Sequence, residues 1–109
     1  MAGDDGEMNQ KVAQLLGLAM RAGKVVTGEG LVINGVRNGQ AKLVLLATDA
    51  SANTTKKVSD KCLYYKVPCY SLSTRYELGS AIGKEARVSV AITDTKMAKS
   101  MENLLTPNP

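Results

Sequence analysis

Residues 24–34 read KVVTGEGLVIN, and their types are those of a turn that can hold an anion. Val25 and Val26 suit a short strand, and Thr27-Gly28 then offers small residues before an apolar stretch that starts at Leu31. Where a strand turns directly into a helix, the first N–H groups of the helix lack intrahelical acceptors and are available to a phosphate. The glycine spacing narrows whose phosphate that is. Gly28-x-Gly30 followed by Gly35 is G-x-G-x4-G, which lacks the dinucleotide spacing, and no G-K-[ST] ending follows, so neither nucleotide-binding loop is expected. What remains is either an anion-facing turn or a plain tight turn capped by Thr27.

Catalytic chemistry has little material. The chain has no histidine, which removes His-based acid–base and nucleophile arrangements. Cys62 and Cys69 stand seven apart without a C-x-x-C pair, which removes the usual zinc patterns, and Cys62 reads as a small buried hydrophobe. Serines and threonines would each need a lysine or carboxylate as base, and no spacing selects such a pair. No enzymatic activity, cofactor, metal or small-molecule substrate is expected.

Charge points to a different class of partner. Fourteen Lys and Arg against ten Asp and Glu leave a net charge of +4. Three of the acids, Asp4, Asp5 and Glu7, precede residue 8, so residues 8–109 hold 14 bases and seven acids, a net +7. Such a surplus suits a polyanion, because neutralised phosphates release counterions, and it equally suits a basic domain that binds no nucleic acid. Lys56, Lys57 and Lys61 fall along one helix and read as a solvated face. Lys24, Arg37, Arg75, Lys84 and Arg87 instead sit at or near element ends, and are expected to converge on one edge of the domain as a continuous positive rim. Aromatic residues are 4%, all tyrosine (Tyr64, Tyr65, Tyr70, Tyr76), so a stacking platform for single strands is not expected.

These residues need a scaffold, and 109 residues with 44% hydrophobic content can build one domain around one core. The acidic, Gly-rich residues 1–7 are expected to be disordered, residues 8–105 to form the domain and 106–109 a C-terminal tail. The sequence shows no signal-peptide pattern and no apolar run near ~18 residues, so a cytoplasmic monomer with reduced thiols and no membrane partner is expected. Met8, Val12, Leu15, Leu16 and Ala19 recur at helical spacing over 7–21, with Gly23 as the stop. Lys24-Val25-Val26 follows as a strand. Thr27 or Gly28 caps a second helix with Leu31, Val32, Ile33 and Val36 on its apolar side, ended by Gly39.

Leu43-Val44-Leu45-Leu46-Ala47 is an unbroken apolar run, as in a strand covered on both faces. Asp49-Ala50-Ser51-Ala52-Asn53 is turn and cap chemistry before a third helix with Thr55, Val58, Cys62 and Tyr65 on one stripe. Cys69-Tyr70-Ser71-Leu72 follows Pro68 as a third strand, and Thr74-Arg75-Tyr76-Glu77 fits a capping box for a fourth helix that Gly83 ends. Residues 87–93 alternate as a fourth strand, and Thr93 or Asp94 caps a fifth helix whose Met97, Met101 and Leu104 or Leu105 face inward. Helices and strands that alternate from end to end imply an α/β fold, a three-layer α/β/α sandwich with a four-stranded mixed sheet and five helices.

Taken as a whole, Arg37-Asn38-Gly39-Gln40-Ala41-Lys42-Leu43-Val44-Leu45-Leu46-Ala47-Thr48-Asp49-Ala50-Ser51 resembles the A/G-x-x-A-K-L-V-(apolar)2-A-x-D segment of the ribosomal protein L-seven-Ae / L-thirty-e family, which binds kink-turn RNA. Matches continue in order through Val67-Pro68, Glu77-Leu78-Gly79, Ile82-Gly83 and Ser89-Val90-Ala91-Ile92, covering about residues 10–105. Leu16-Gly17-Leu18-Ala19 and Arg21-Ala22-Gly23-Lys24 look most like the small cytosolic bacterial members of that family.

The resemblance implies an L-thirty-e-like α/β/α sandwich that grips sharply bent RNA at two places, with structured RNA, a kink-turn or ribosomal RNA, as the partner. The first place is the start of the second helix, where the family has Gly-x-Asn-Glu-x-x-Lys or, in bacterial relatives, Gly-x-Lys-Gln-x-x-Lys. Gly28 keeps the glycine, whereas Gly30, Leu31 and Asn34 replace the polar residues that read tandem sheared G·A pairs. Thr27 and Glu29 belong to the same turn, but a helix turns about 100° per residue, so Glu29 faces elsewhere than Leu31. The second place is Leu72-Ser73-Thr74-Arg75, whose apolar member Leu72 takes the position that packs on bases flipped out of the bend. Lys24, Arg37, Lys84 and Arg87 are then implied phosphate contacts, which position the RNA without specifying its sequence.

Overall fold

A computed structural model of the chain describes residues 8–106. The acidic segment 1–7 and residues 107–109 of the expected tail lie outside the described residues. The elements follow in the order α1 (Gln10–Arg21), β1 (Val25–Thr27), α2 (Glu29–Arg37), β2 (Leu43–Leu46), α3 (Ala52–Tyr65), β3 (Cys69–Ser71), α4 (Arg75–Ala81), β4 (Ser89–Ile92) and α5 (Thr95–Leu105). Local chemistry sets their ends. Asn9, Ser51, Thr74 and Asp94 each accept a backbone N–H of the helix that follows, and Glu77 completes the capping box with Thr74. The Asn9 cap is why α1 starts at Gln10 and not at residue 7.

β4 lies between β1 and β2 and runs antiparallel to both, while β3 adds to the far side of β2 in parallel. Both central strands are buried along their whole length. Side chains alternate across a strand, so Leu43, Leu45, Val90 and Ile92 face one helical layer and Val44, Leu46 and Ala91 the other. The first face packs on Val12 and Leu16 of α1, Leu78 of α4 and Met101 of α5; the second packs on Val32 and Val36 of α2 and Val58 and Cys62 of α3. The three layers and the mixed four-stranded sheet are those expected. β4 differs in one respect: the alternation in residues 87–93 is one of side-chain size between two apolar layers, and no residue of β4 meets water.

Two helical side chains also fall on other faces than expected. Leu31 is 62% exposed, because Val32, Gly35 and Val36 form the buried stripe of α2 and Leu31 stands about 100° from it. Tyr65 is exposed at the end of α3 beyond the last buried position, Cys62, and on α5 it is Leu105 that packs inward while Leu104 is exposed.

α4 approaches the loop that leads into β4 so closely that a Cβ on Gly79 would overlap the Glu85 carbonyl, and Arg87 N donates to Arg75 O at 2.9 Å beside it. Backbone cannot yield as a flexible side chain does, so Gly79→Ala should destabilise the domain by at least about 1–3 kcal/mol. Thermal unfolding should show a fall in Tm of roughly 4–8 °C for each kcal/mol lost. Gly30→Ala, which enters open space on α2, should leave Tm unchanged or raise it.

Candidate nucleic-acid interface

β1, β2 and β3 run in one direction and β4 against them. α2, α3 and α4 each follow one of the three parallel strands, so all three helices start at the same pole, beside the beginning of β4. That pole carries a concavity of about 360 Å³, lined by Gly28, Glu29, Ser51, Thr54, Arg75 and residues 86–89. An open α/β sheet commonly receives its ligand at this end, outside the carboxyl ends of the parallel strands.

The start of α2 is unlike the other helix starts. Gly28 is its N-cap at φ 101°, a conformation open to glycine and rare for any residue with a Cβ. Thr27, the alternative cap, donates its hydroxyl to Ser89 O at 2.8 Å and so ties β1 to β4. α2 therefore begins without a side-chain cap, whereas the other four helices each have one. Its first N–H groups stay available to an external acceptor at the mouth of the concavity.

Charged groups around that mouth are fixed to different degrees. Glu29 Oε2 lies 3.0 Å from Lys57 Nζ, and Thr54 donates its hydroxyl to Glu29 Oε1 at 3.1 Å. Those hydrogen bonds hold the Glu29 carboxyl below its usual range. Arg75 is tethered to the turn before α3: its Nε lies 3.3 Å from Asp49 Oδ2, its Nη2 donates to Asp49 O at 2.6 Å and its own N–H donates to Asp49 Oδ1. Arg87 is half-buried and donates Nη1 to Ala86 O at 3.0 Å; among the described residues no carboxylate pairs with it. Ser73 is buried in the left-handed region at φ 58°, held there by Thr48, whose N–H and hydroxyl both donate to the Ser73 carbonyl. Its Oγ has no partner among the described residues.

Gly28, Glu29, Arg75 and Arg87 are thus brought together, with Thr27, Ser73 and Thr74 directly adjoining in the chain. Gly30, Leu31 and Asn34 continue from the mouth along the exposed side of α2. Leu72 is half-buried against the first core cluster. The expected continuous rim is divided. Lys24 precedes β1 and Arg37 ends α2, so both lie at the opposite pole, roughly 10 Å along a three-residue strand and roughly 13 Å along a nine-residue helix from this one. Lys84 follows the far end of α4. Asp49 and Ser51 carried only a turn-and-cap signal in the sequence and Thr54 none, and their place beside Glu29 and Arg75 depends on contacts between distant segments. Lys57, expected on a solvated face, is the ion-pair partner of Glu29.

This sheet order, these helical layers and this single pole of converging helix starts define the L-thirty-e-like class of α/β/α sandwich. The model of the Ribosomal protein L7Ae/L30e/S12e/Gadd45 family matches residues 10–102, and the chain belongs to that family. Within it the chain stands with the bacterial YlxQ-type proteins. The "RNA-binding protein YlxQ" of Bacillus subtilis (strain 168) is 62% identical over 91 residues, 84% of this chain and 91% of the relative. That of Enterococcus faecium is 50% identical over 96 residues, 88% of this chain and 92% of the relative. More distantly, the "Large ribosomal subunit protein eL8" of Thermoplasma volcanium is 32% identical over 89 residues, covering 81% and 74% of the two chains. A solved structure of a protein of unknown function from Bacillus halodurans C superposes with a TM-score of 0.87 at 41% identity, over 89% of this chain and 98% of the other.

Glu29 makes the mouth titratable. A carboxylate whose folded pKa is lowered adds stability above its unfolded value and loses that contribution as pH falls through the folded value. In a carbon-13 NMR titration the Glu29 carboxyl should change charge below the usual value of 4.5, and Lys57→Ala should move the midpoint back up toward it. A midpoint at or above 4.5 in the unaltered protein would rule out the Glu29–Lys57 contact in solution.

Proposed function

We propose that this protein is a non-enzymatic RNA-binding module that grips kink-turn or similarly bent RNA at the pole formed by the starts of α2, α3 and α4. The observation that carries the reading is the uncapped start of α2, which opens on a concavity flanked by Arg75 and Arg87. Backbone N–H groups and guanidinium groups are the donors that hold phosphate oxygens and set the register of a nucleic acid. Family membership and the names of the relatives support RNA as the anion. Thr27, Gly28 and Glu29 form the turn against the bend. Gly30, Leu31 and Asn34 lie along the neighbouring groove, Leu72, Ser73 and Thr74 form the second contact, and Arg75 and Arg87 face phosphates. Lys24, Arg37 and Lys84 stand away from this mouth and would touch RNA only where it extends beyond the bend.

Base reading is the weak part of this interface. Gly30 and Leu31 offer no side-chain donor or acceptor where the family has polar residues, and each lost base-edge contact reduces discrimination by ~1–3 kcal/mol, by analogy with groove readout in DNA. The same departures favour a second reading, a protein-interaction module on this fold with weakened RNA recognition, for which the 62% exposed Leu31 would be the apolar contact.

Titrating the protein into a kink-turn RNA and into the same duplex without its three-nucleotide bulge, each at two salt concentrations, separates the readings. The bent RNA should bind more tightly, and both affinities should fall with salt. Equal affinity for the two removes kink-turn selectivity, and no salt-dependent binding to either favours the protein partner. Arg87→Ala should weaken both RNAs alike and reduce the slope of log affinity against log salt by about 1. Asn34→Lys, which adds a cation on the exposed side of α2, should tighten the kink-turn complex in the same titration; a loss would mean that this helix docks in another register.

A further inference from the structure

The pole opposite the concavity gathers the starts of the parallel strands and the ends of their helices. Lys42 directly precedes β2, Lys66-Val67-Pro68 precedes β3, α2 ends at Arg37 and α3 at Tyr65. Arg37, Lys42, Tyr65 and Lys66 line a second concavity of about 480 Å³ together with Asn38 and Pro68, and no acidic residue lines it. None of the three cations forms an ion pair among the described residues.

Cations at helix C-termini have an ordinary role, which is to offset the partial charge there. Each C-terminus carries about −0.5 of an elementary charge, so two of them call for about one cation. Lys42 meets part of that need by donating Nζ to Gly39 O at 2.8 Å. Three cations are present, and about two positive charges remain over. Lys66 occupies the left-handed C-cap of α3 at φ 59° and ψ 43°, where glycine is unstrained and a side chain is not. A charge is held there at the expense of backbone comfort.

Two aromatic rings flank those charges. Tyr64 is 77% exposed and Tyr65 40% exposed, and their ring centroids stand 4.8 Å apart, edge to face. The low aromatic content of the chain argued against a stacking platform, yet the fold leaves two of its four tyrosines together at solvent. Cations that track a backbone beside aromatic faces on which bases stack are the two parts of a sequence-tolerant single-strand site.

We propose that this pole binds a single-stranded segment of RNA, with phosphates at Arg37, Lys42 and Lys66 and a base against Tyr65. The molecule measures 35 × 33 × 30 Å, so one copy would hold two RNA segments at once, on opposite ends of the sheet. RNA as the polyanion rests on the reading of the first pole; an acidic protein segment is the competing occupant.

Fluorescence anisotropy of the full chain with a labelled 12-nucleotide oligouridylate tests this. Lys42→Glu/Lys66→Glu should raise the Kd for oligouridylate at least tenfold while leaving the affinity for the kink-turn duplex within about twofold. Lys66→Gly removes a charge and relieves the left-handed backbone, so it should weaken oligouridylate about threefold with a Tm no lower than that of the unaltered protein, which separates charge loss from unfolding. Tyr65→Ala should also weaken binding. The proposal is overturned if oligouridylate does not bind, if the double variant binds it unchanged, or if a 12-residue oligoglutamate binds equally well and displaces it. Oligouridylate binding without preference for the bent RNA would sink the first reading and leave this one standing; the reverse result would do the opposite.

Discussion

Strands β2 and β4 have water on neither face, and the rest of the molecule follows from that constraint. A sheet whose centre is apolar on both sides needs a helical layer on each, and a short chain supplies them most economically by crossing over after each parallel strand. Burying a large aliphatic side chain stabilises by about 1.5–3 kcal/mol relative to leaving it exposed, so Leu43, Val44, Leu45, Leu46, Val90 and Ile92 of the central pair fix the layering before any surface residue matters. Crossovers after strands of one direction put the starts of α2, α3 and α4 at one pole and their ends at the other, while α5, which follows the antiparallel β4, starts at that second pole. On these three helices the two ends of the domain are chemically unlike by topology: one presents backbone donors, the other backbone acceptors that basic side chains can cover.

The donor pole is not simply positive. Arg75 is engaged by Asp49, Glu29 remains an anion in contact with Lys57, and Arg87 alone among the charges lining the concavity has no carboxylate partner among the described residues. Much of the attraction for an anion there must come from the uncapped N–H groups of α2 together with Arg87. Gly28 at the N-cap has no side chain to close those groups, and the neighbouring Thr27 hydroxyl is engaged by Ser89 O.

The sequence carried the architecture in strong local signals. The unbroken apolar run of β2, the capping box at Thr74 and the Asp94 cap each rest on neighbouring residues, and they appear where the pattern placed them. The site was legible in part. Gly28 stood out through its glycine spacing at a strand-to-helix turn, and Arg75 and Arg87 because they sit at element ends, but end position alone does not tell which end. Lys24 and Arg37 looked equivalent to them and lie at the other pole, since that distinction depends on strand direction, a property of the whole sheet. Ser51 read only as helix-start chemistry and Thr54 carried no signal, because the partner that gives Thr54 its place at the mouth, Glu29, is more than twenty residues away.

The exposed side of α2 sets what kind of recognition the donor pole can perform. Hydrogen bonding to base edges needs polar side chains at fixed spacing from the helix start, and Gly30 and Leu31 supply none. An apolar side chain standing in solvent beside backbone donors can still contact the face or the ribose of an unstacked nucleotide, which rewards a bent shape without rewarding a particular base. Glu29, held by Lys57 and Thr54 of α3, is locally neutralised, which leaves Arg87 as the charge at the mouth with no carboxylate partner among the described residues. In the proposed complex, donors that hold phosphate and an apolar contact that senses unstacking would select geometry over sequence.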